Sequence, residues 1–284
     1  MEEIAAMDWL LSPFETVAQQ QALAASAMAA VALAIVGTWV VIRGMSFLGD
    51  ALAHGVIPGI AAALLFGVSP LLGAVVAAIV MIAGIGLIHR QTTFSEDTGI
   101  GLLFVGMLAL GVAITSRSAD FPEHVTEILF GETLAVDTAD VITVAAVAVV
   151  TVVAAIFLYR PLLVLSFNEQ KAKLVGMRPG IAHVALLTLI TLGIVGSFQT
   201  VGTLLVFGLL IGPPAAAALI VRRVPAMMVM AVSLGLLSVV IGLILGYYLD
   251  ISPSASMSLV AIAIFFSTLV IRSLRGRARV PSPA

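Results

Sequence analysis

Cysteine is missing altogether from these 284 residues, and charge nearly so, since Asp, Glu, Lys and Arg together make up 10% of the chain. The first absence excludes a disulfide framework, a thiolate metal site and a thiol nucleophile. The second excludes an ordinary soluble domain, where about a quarter of residues are charged. There is no Walker A motif and no phosphate-cradling glycine loop, so any ATP is bound by another chain. The H-E-x-x-H of zinc proteases is missing too, and no Ser/His arrangement suits nucleophilic catalysis, so the chain does not read as an enzyme. No nucleic acid partner is expected. The opening residues, MEEIAAMDWLLSPFETVAQQ, are acidic and lack the positive n-region and cleavage site of a signal peptide.

What is present is hydrocarbon: 61% of residues are hydrophobic and the mean hydropathy is +1.21. The fold class is therefore an all-α polytopic membrane protein, because helices satisfy their own backbone groups in lipid. Nine spans are predicted, at 21–42, 46–67, 70–88, 98–115, 141–159, 181–198, 200–221, 225–249 and 256–271. The sixth and seventh are hardly separated, and if one is re-entrant or broken the count is eight. With the N-terminus outside and the C-terminus cytoplasmic, every Lys and Arg except Arg117 falls inside, as the positive-inside rule asks. The expected organisation is an acidic extracytoplasmic segment (1–20), a permease domain (21–272) with a cytoplasmic loop at 160–180, and a basic tail (273–284). The location is the cytoplasmic (inner) membrane.

The same threading gathers Asp120, Glu123, Glu127, Glu132, Asp137 and Asp140 in one external loop, either a solvated connector or a surface that concentrates cations. His124 and Glu127 are too slight a pair to make a metal site there. Proline and glycine mark irregular backbone. GVIPG brackets Pro58 with two glycines, and VGTLLVFGLLIGPPAAAALI holds Gly208, Gly212, Pro213 and Pro214 in one span. That helix is expected to kink or break near residue 212 and to line a pathway, although membrane glycines are more commonly packing positions.

The second span contains RGMSFLGDALAHGVIPG. Counted as one helix from Arg43, it places Asp50 about 10 Å and His54 about 16 Å along its axis. An intramembrane aspartate costs about 3 kcal/mol and faces a partner or a cavity. Spacing of four residues puts both side chains on one face. Three readings remain open: a hydrogen bond that satisfies both groups, a metal site, or a proton relay. Two ligands are few for a transition metal, and none of His89, His124 and His183 clearly reaches the same depth. A two-fold homodimer supplies two oxygens and two nitrogens, a set suited to Zn²⁺ or Mn²⁺.

The loop YRPLLVLSFNEQKAKLVGMRPG offers Asn168 as N-cap, Glu169 in the first turn and Gly176 as stop, so a helix of about two turns is predicted there. Glu96 and Asp97 are expected to favour the N-terminus of the fourth span. At this point the chain resembles the membrane permeases of ATP-binding-cassette importers for zinc and manganese. The resemblance rests on RGMSFLGDALAHGVIPGIAAALLFG, SEDTGIGLLFVGMLALG, ILFGETLAV, SFNEQKAKLVGM and VGTLLVFGLLIGPPAAAALI, in order and in register from about residue 20 to 272.

The resemblance implies that Asp50 and His54 are metal ligands or a gate. It places the coupling helix for the ATPase at Glu169, Ala172, Lys173 and Gly176, and the pathway helix at Gly208, Gly212, Pro213 and Pro214. The implied partners are ABC ATPase subunits, an extracytoplasmic metal-binding protein and a second copy of the chain. No cofactor is held permanently; Zn²⁺ or Mn²⁺ is the transported substrate, with zinc favoured, manganese next and iron open. Transport inward by alternating access also follows from the family. Two departures are Ala53, where serine is common, and Asn168, where aspartate is usual. The rival reading is a proton-coupled secondary metal carrier using Asp50 and His54 as a relay.

Overall fold

The computed structural model describes residues 12–45, 47–92, 96–116, 136–167 and 179–277, and among them all regular structure is helical. A 3-10 turn (Ser12–Phe14) leads into α1 (Val17–Arg43), α2 (Phe47–Gly55), α3 (Ile57–Leu65), α4 (Pro70–Gln91) and α5 (Glu96–Thr115). Then follow α6 (Thr138–Phe157), α7 (Tyr159–Phe167), α8 (Pro179–Ile220), α9 (Val224–Leu249) and α10 (Pro253–Arg277). Eight stretches among the described residues are long and apolar enough to cross a membrane. The expected third span is α4, whose apolar run Leu72–Ile88 is shorter than these.

Caps and prolines set the boundaries. The Thr16 hydroxyl accepts from the Gln19 amide at the start of α1, and Gly44, with φ 69°, closes its end by donating to the Val40 and Val41 carbonyls. Asp137 and Asp140 form a reciprocal capping box at the start of α6, so these two acids of the predicted external loop have a local structural role. Proline opens α3, α4 and α9, where its missing N–H costs no helical bond.

Three features differ from the sequence reading. The second span is two helices, interrupted at Val56, because Pro58 cannot donate to the carbonyl of His54 four residues before it. The break in the sixth and seventh spans lies at Gly202 (φ 78°, ψ 155°) and not near residue 212; helical dihedrals run on through Pro213 and Pro214. A backbone in that region is open only to glycine. Part of the expected 160–180 connector is helical: α7 begins after Leu158 and buries Leu162 and Leu165. The predicted two-turn helix from Asn168 to Gly176 lies outside the described residues, as do Glu123, His124, Glu127 and Glu132.

The core is α1, whose buried alanines, Leu33, Val36, Trp39 and Val40 meet α6, α8 and α9. On the other side α2 and α3 pack with α4 and α5. There Gly59 and Gly73 press backbone to backbone, so that a Cβ on either would run into the other's carbonyl oxygen.

The arginines gather at one end, where Asp97 also lies beside Arg43. The Trp39 and Tyr159 rings meet at 5.8 Å, and Met227 packs near Val41 and Ile42, which brings Arg43, Arg160, Arg222 and Arg223 to one end. At the other end Gln21 bonds Thr138 and Ser12 meets the Tyr248 hydroxyl, close to Glu15, Asp137, Asp140 and Asp250.

Candidate metal site

The turn at Gly44 and the buried Met45 release the chain into α2 at Phe47. Leu48, Ala51 and Leu52 then bury one face of α2, which leaves Phe47, Asp50 and His54 on the other, at i, i+3 and i+7. Arg43 belongs to α1, so the depths counted along a single helix from it do not hold. Asp50 lies instead in the first turn of α2, where the helix dipole favours an anion, and His54 in the last.

The His54 Nδ1 is 3.2 Å from Asp50 Oδ1 and 3.2 Å from the Asp50 backbone carbonyl. A carbonyl only accepts, so Nδ1 carries the proton in this arrangement and a neutral ring keeps its lone pair at Nε2. The pair thus offers one imidazole nitrogen and one carboxylate to a cation. Phe104 of α5 stands edge-on to His54 at 6.2 Å and to Phe47 at 5.4 Å, forming a hydrophobic wall beside the pair. Asp50 keeps 31% of its side-chain surface exposed and His54 26%, so the pair opens outward from the single chain. No cluster of three or more His, Cys, Asp or Glu exists among the described residues. The pair thus offers two donors where a tetrahedral transition-metal site takes four.

The other predicted residues sit elsewhere. Gly208 packs on Ser258 and Gly212 on Ala261, both on α10, while Pro213 and Pro214 lie beside Gly235 and Gly37. The side of α8 that meets α2 carries Phe207 and Leu210, against Gly49. Glu169, Ala172, Lys173 and Gly176 lie outside the described residues. His183 is buried and meets Arg43 Nη2 at 3.4 Å, which ties the start of α8 to the end of α1. Arg43 also lines a polar cavity of about 410 Å³ with Asp97 and Ser166. Neither Phe104 nor the Arg43–His183 contact carries a sequence signal, since each joins residues distant along the chain.

An apolar helical bundle with eight membrane-length stretches, one of which holds a carboxylate–imidazole pair, is a multi-span membrane protein. The chain belongs to the ABC 3 transport family, which it matches over residues 15–272. It is 33% identical over 270 residues to a probable iron transport system membrane protein of Haemophilus influenzae, covering 95% of this chain and 99% of that one. It is 33% identical to the manganese transport system membrane protein MntC of Listeria monocytogenes, over 90% of this chain and 91% of the other. With the manganese import system permease protein ScaB of Streptococcus parasanguinis it shares 35% identity, over 87% of this chain and 88% of the relative. Among solved structures, PsaBC from Streptococcus pneumoniae superposes with a TM-score of 0.80 at 29% identity, covering 93% of this chain and 95% of that chain. The protein is a multi-pass permease of the cytoplasmic membrane.

Proposed function

We propose that this protein is the permease of an ATP-driven importer for a divalent transition metal, with Asp50 and His54 as its metal-binding gate. The observation that carries this reading is the pair itself: an aspartate and a histidine held together on a short helix within the membrane-length stretch Phe47–Leu65, both partly exposed, with His54 Nδ1 engaged by Asp50. Exposure to lipid is too costly for such a pair, so a protein-lined pathway must cover it. A second copy related by a two-fold axis completes the shell with two nitrogens and two oxygens. That set accepts Mn²⁺, Fe²⁺ and Zn²⁺ alike. The sequence alone favoured zinc; the relatives' names speak for manganese and iron, and these become the first substrates to test.

The remaining parts follow from the family reading. ABC ATPase subunits dock on the segment of Glu169, Ala172, Lys173 and Gly176, at the arginine-rich end, which is cytoplasmic. An extracytoplasmic binding protein delivers the ion at the acidic end. ATP binding and hydrolysis rearrange the dimer so that the four ligands part and the ion leaves inward. A cage closed in every state would trap its cargo, so the ligands converge in only one. The Val56 break beside His54 and the Gly202 break in α8 are the natural hinges for that rearrangement. Membership of an ABC transport family sets aside the proton-coupled carrier.

The test is uptake of labelled manganese, iron and zinc into vesicles holding the permease, its ATPase and its binding protein, with and without ATP. ATP-dependent uptake that His54→Ala abolishes is the expected result. Uptake indifferent to ATP, or unchanged in the variant, would overturn the assignment.

A further inference from the structure

A second feature lies on the opposite side of the bundle from the Asp50 helix. An open groove of about 580 Å³ runs between α1, α6 and α9, lined by Val31, Ile35, Val152, Tyr159, Pro225 and Ser233 among others. Its walls offer almost nothing polar, since the Ser233 hydroxyl already donates to the Val229 carbonyl. From Pro225 to Ser233 the groove follows α9 for about 12 Å at the helical rise. That is close to one leaflet of a bilayer whose hydrocarbon core is about 30 Å thick. It begins at the arginine-rich end and stops near the middle of α1.

The residues that flank the mouth along the chain are basic. Tyr159 precedes Arg160, and Pro225 follows Arg222 and Arg223 by two or three positions. All three arginines are exposed, and none is in an ion pair among the described residues. The acids Glu15, Asp137, Asp140 and Asp250 are at the far end. An apolar slot one leaflet deep beneath three exposed guanidinium groups, unpaired with any acid among the described residues, fits one class of ligand.

We propose that the groove holds an acyl chain of an anionic phospholipid whose headgroup phosphate is bound by Arg160, Arg222 and Arg223. Guanidinium groups pair with phosphate through parallel N–H donors, while the chain replaces solvent or bulk lipid in the slot. The site does not depend on the transport reading, as it shares no residue with the Asp50–His54 pair. Because it joins α9 to the α6–α7 junction just before the segment proposed to dock the ATPase, its occupancy brings lipid composition to bear on that end of the molecule.

The chain contains its own reporter. It has two tryptophans, and Trp39 packs against Tyr159, which lines the groove. In a full-length Trp9→Phe permease, Trp39 is the sole tryptophan. The protein is reconstituted in phosphatidylcholine vesicles with rising fractions of phosphatidylglycerol or phosphatidylethanolamine carrying brominated chains, and Trp39 quenching is followed. We expect phosphatidylglycerol to half-saturate the quenching at a several-fold lower fraction than phosphatidylethanolamine. Arg223→Gln should reduce this preference by up to about fivefold, the worth of one basic residue at an anionic surface. The combined Arg160→Gln, Arg222→Gln and Arg223→Gln variant should abolish it. Val152→Phe, which fills the slot without altering charge, should weaken quenching by both lipids. Equal quenching by the two lipids, or a preference that survives loss of all three arginines, overturns the proposal. So does the absence of quenching together with crosslinking of a second copy across the groove.

Discussion

Replacing Asp50 by alanine separates a ligand from a mere positioning group, because of where the His54 proton goes. His54 Nδ1 has two acceptors at the same distance, the Asp50 carboxylate and the Asp50 backbone carbonyl, each at 3.2 Å. The carbonyl survives any side-chain substitution. Asp50→Ala therefore keeps an acceptor for Nδ1–H and leaves the ring in the tautomer that presents Nε2. Were the carboxylate only an orienting partner, its loss would forfeit one shared hydrogen bond, worth about 1 kcal/mol or roughly fivefold in affinity. As a ligand in a two-fold site it is lost twice, and metal binding should fall by far more than the 10–100-fold of a missing outer-shell partner. The assay is ATP-dependent manganese or iron uptake by proteoliposomes over a range of metal concentrations, with ATPase assembly checked by co-purification. Intact assembly with uptake reduced more than 100-fold supports direct ligation. Uptake within about fivefold of wild type refutes it and makes Asp50 a positioning residue.

Other predictions concern the scaffold. Gly37→Ala puts a Cβ into the Leu210 carbonyl, a backbone atom that cannot rotate away, and should lower thermal stability in detergent by about 1–3 kcal/mol. Gly86→Ala, where a Cβ meets nothing within 4 Å, is the control and should leave the melting temperature unchanged or slightly raised. Gly202→Ala forces a side chain into φ 78°, ψ 155° and should cost on the order of 1–3 kcal/mol, again read as a fall in melting temperature. Asp137→Ala removes the capping box of α6 and should cost about 1 kcal/mol, whereas Asp137→Asn keeps the acceptor and should recover most of it.

The bundle was legible because hydrocarbon solvent leaves the chain few choices: long uncharged runs become helices, and arginines collect at one end whatever the packing. The candidate pair was legible for the converse reason, since an aspartate and a histidine four apart stand out in a span that is otherwise apolar. The backbone inside the spans was harder to read. Pro58 breaks the second span, whereas Pro213 and Pro214 leave α8 helical. Pro58 and Pro214 each pack against a glycine of another helix, Pro58 against Gly111 and Pro214 against Gly37. The carbonyl that Pro214 cannot bond is that of Leu210, and Gly37 of α1 lies directly against it, a neighbour far away in sequence. A proline motif therefore reports that a helical bond is lost, but not whether the helix breaks there. The same logic applies at the site. Phe104 and the Phe207–Leu210 face of α8 fix where α2 lies, yet each is one apolar residue among many in its own span. Chemistry that is rare in lipid announces itself in sequence, while the apolar contacts that aim it do not. If Asp50 and His54 are ligands, as proposed, two donors on a partly exposed face call for another surface to complete a four-ligand shell.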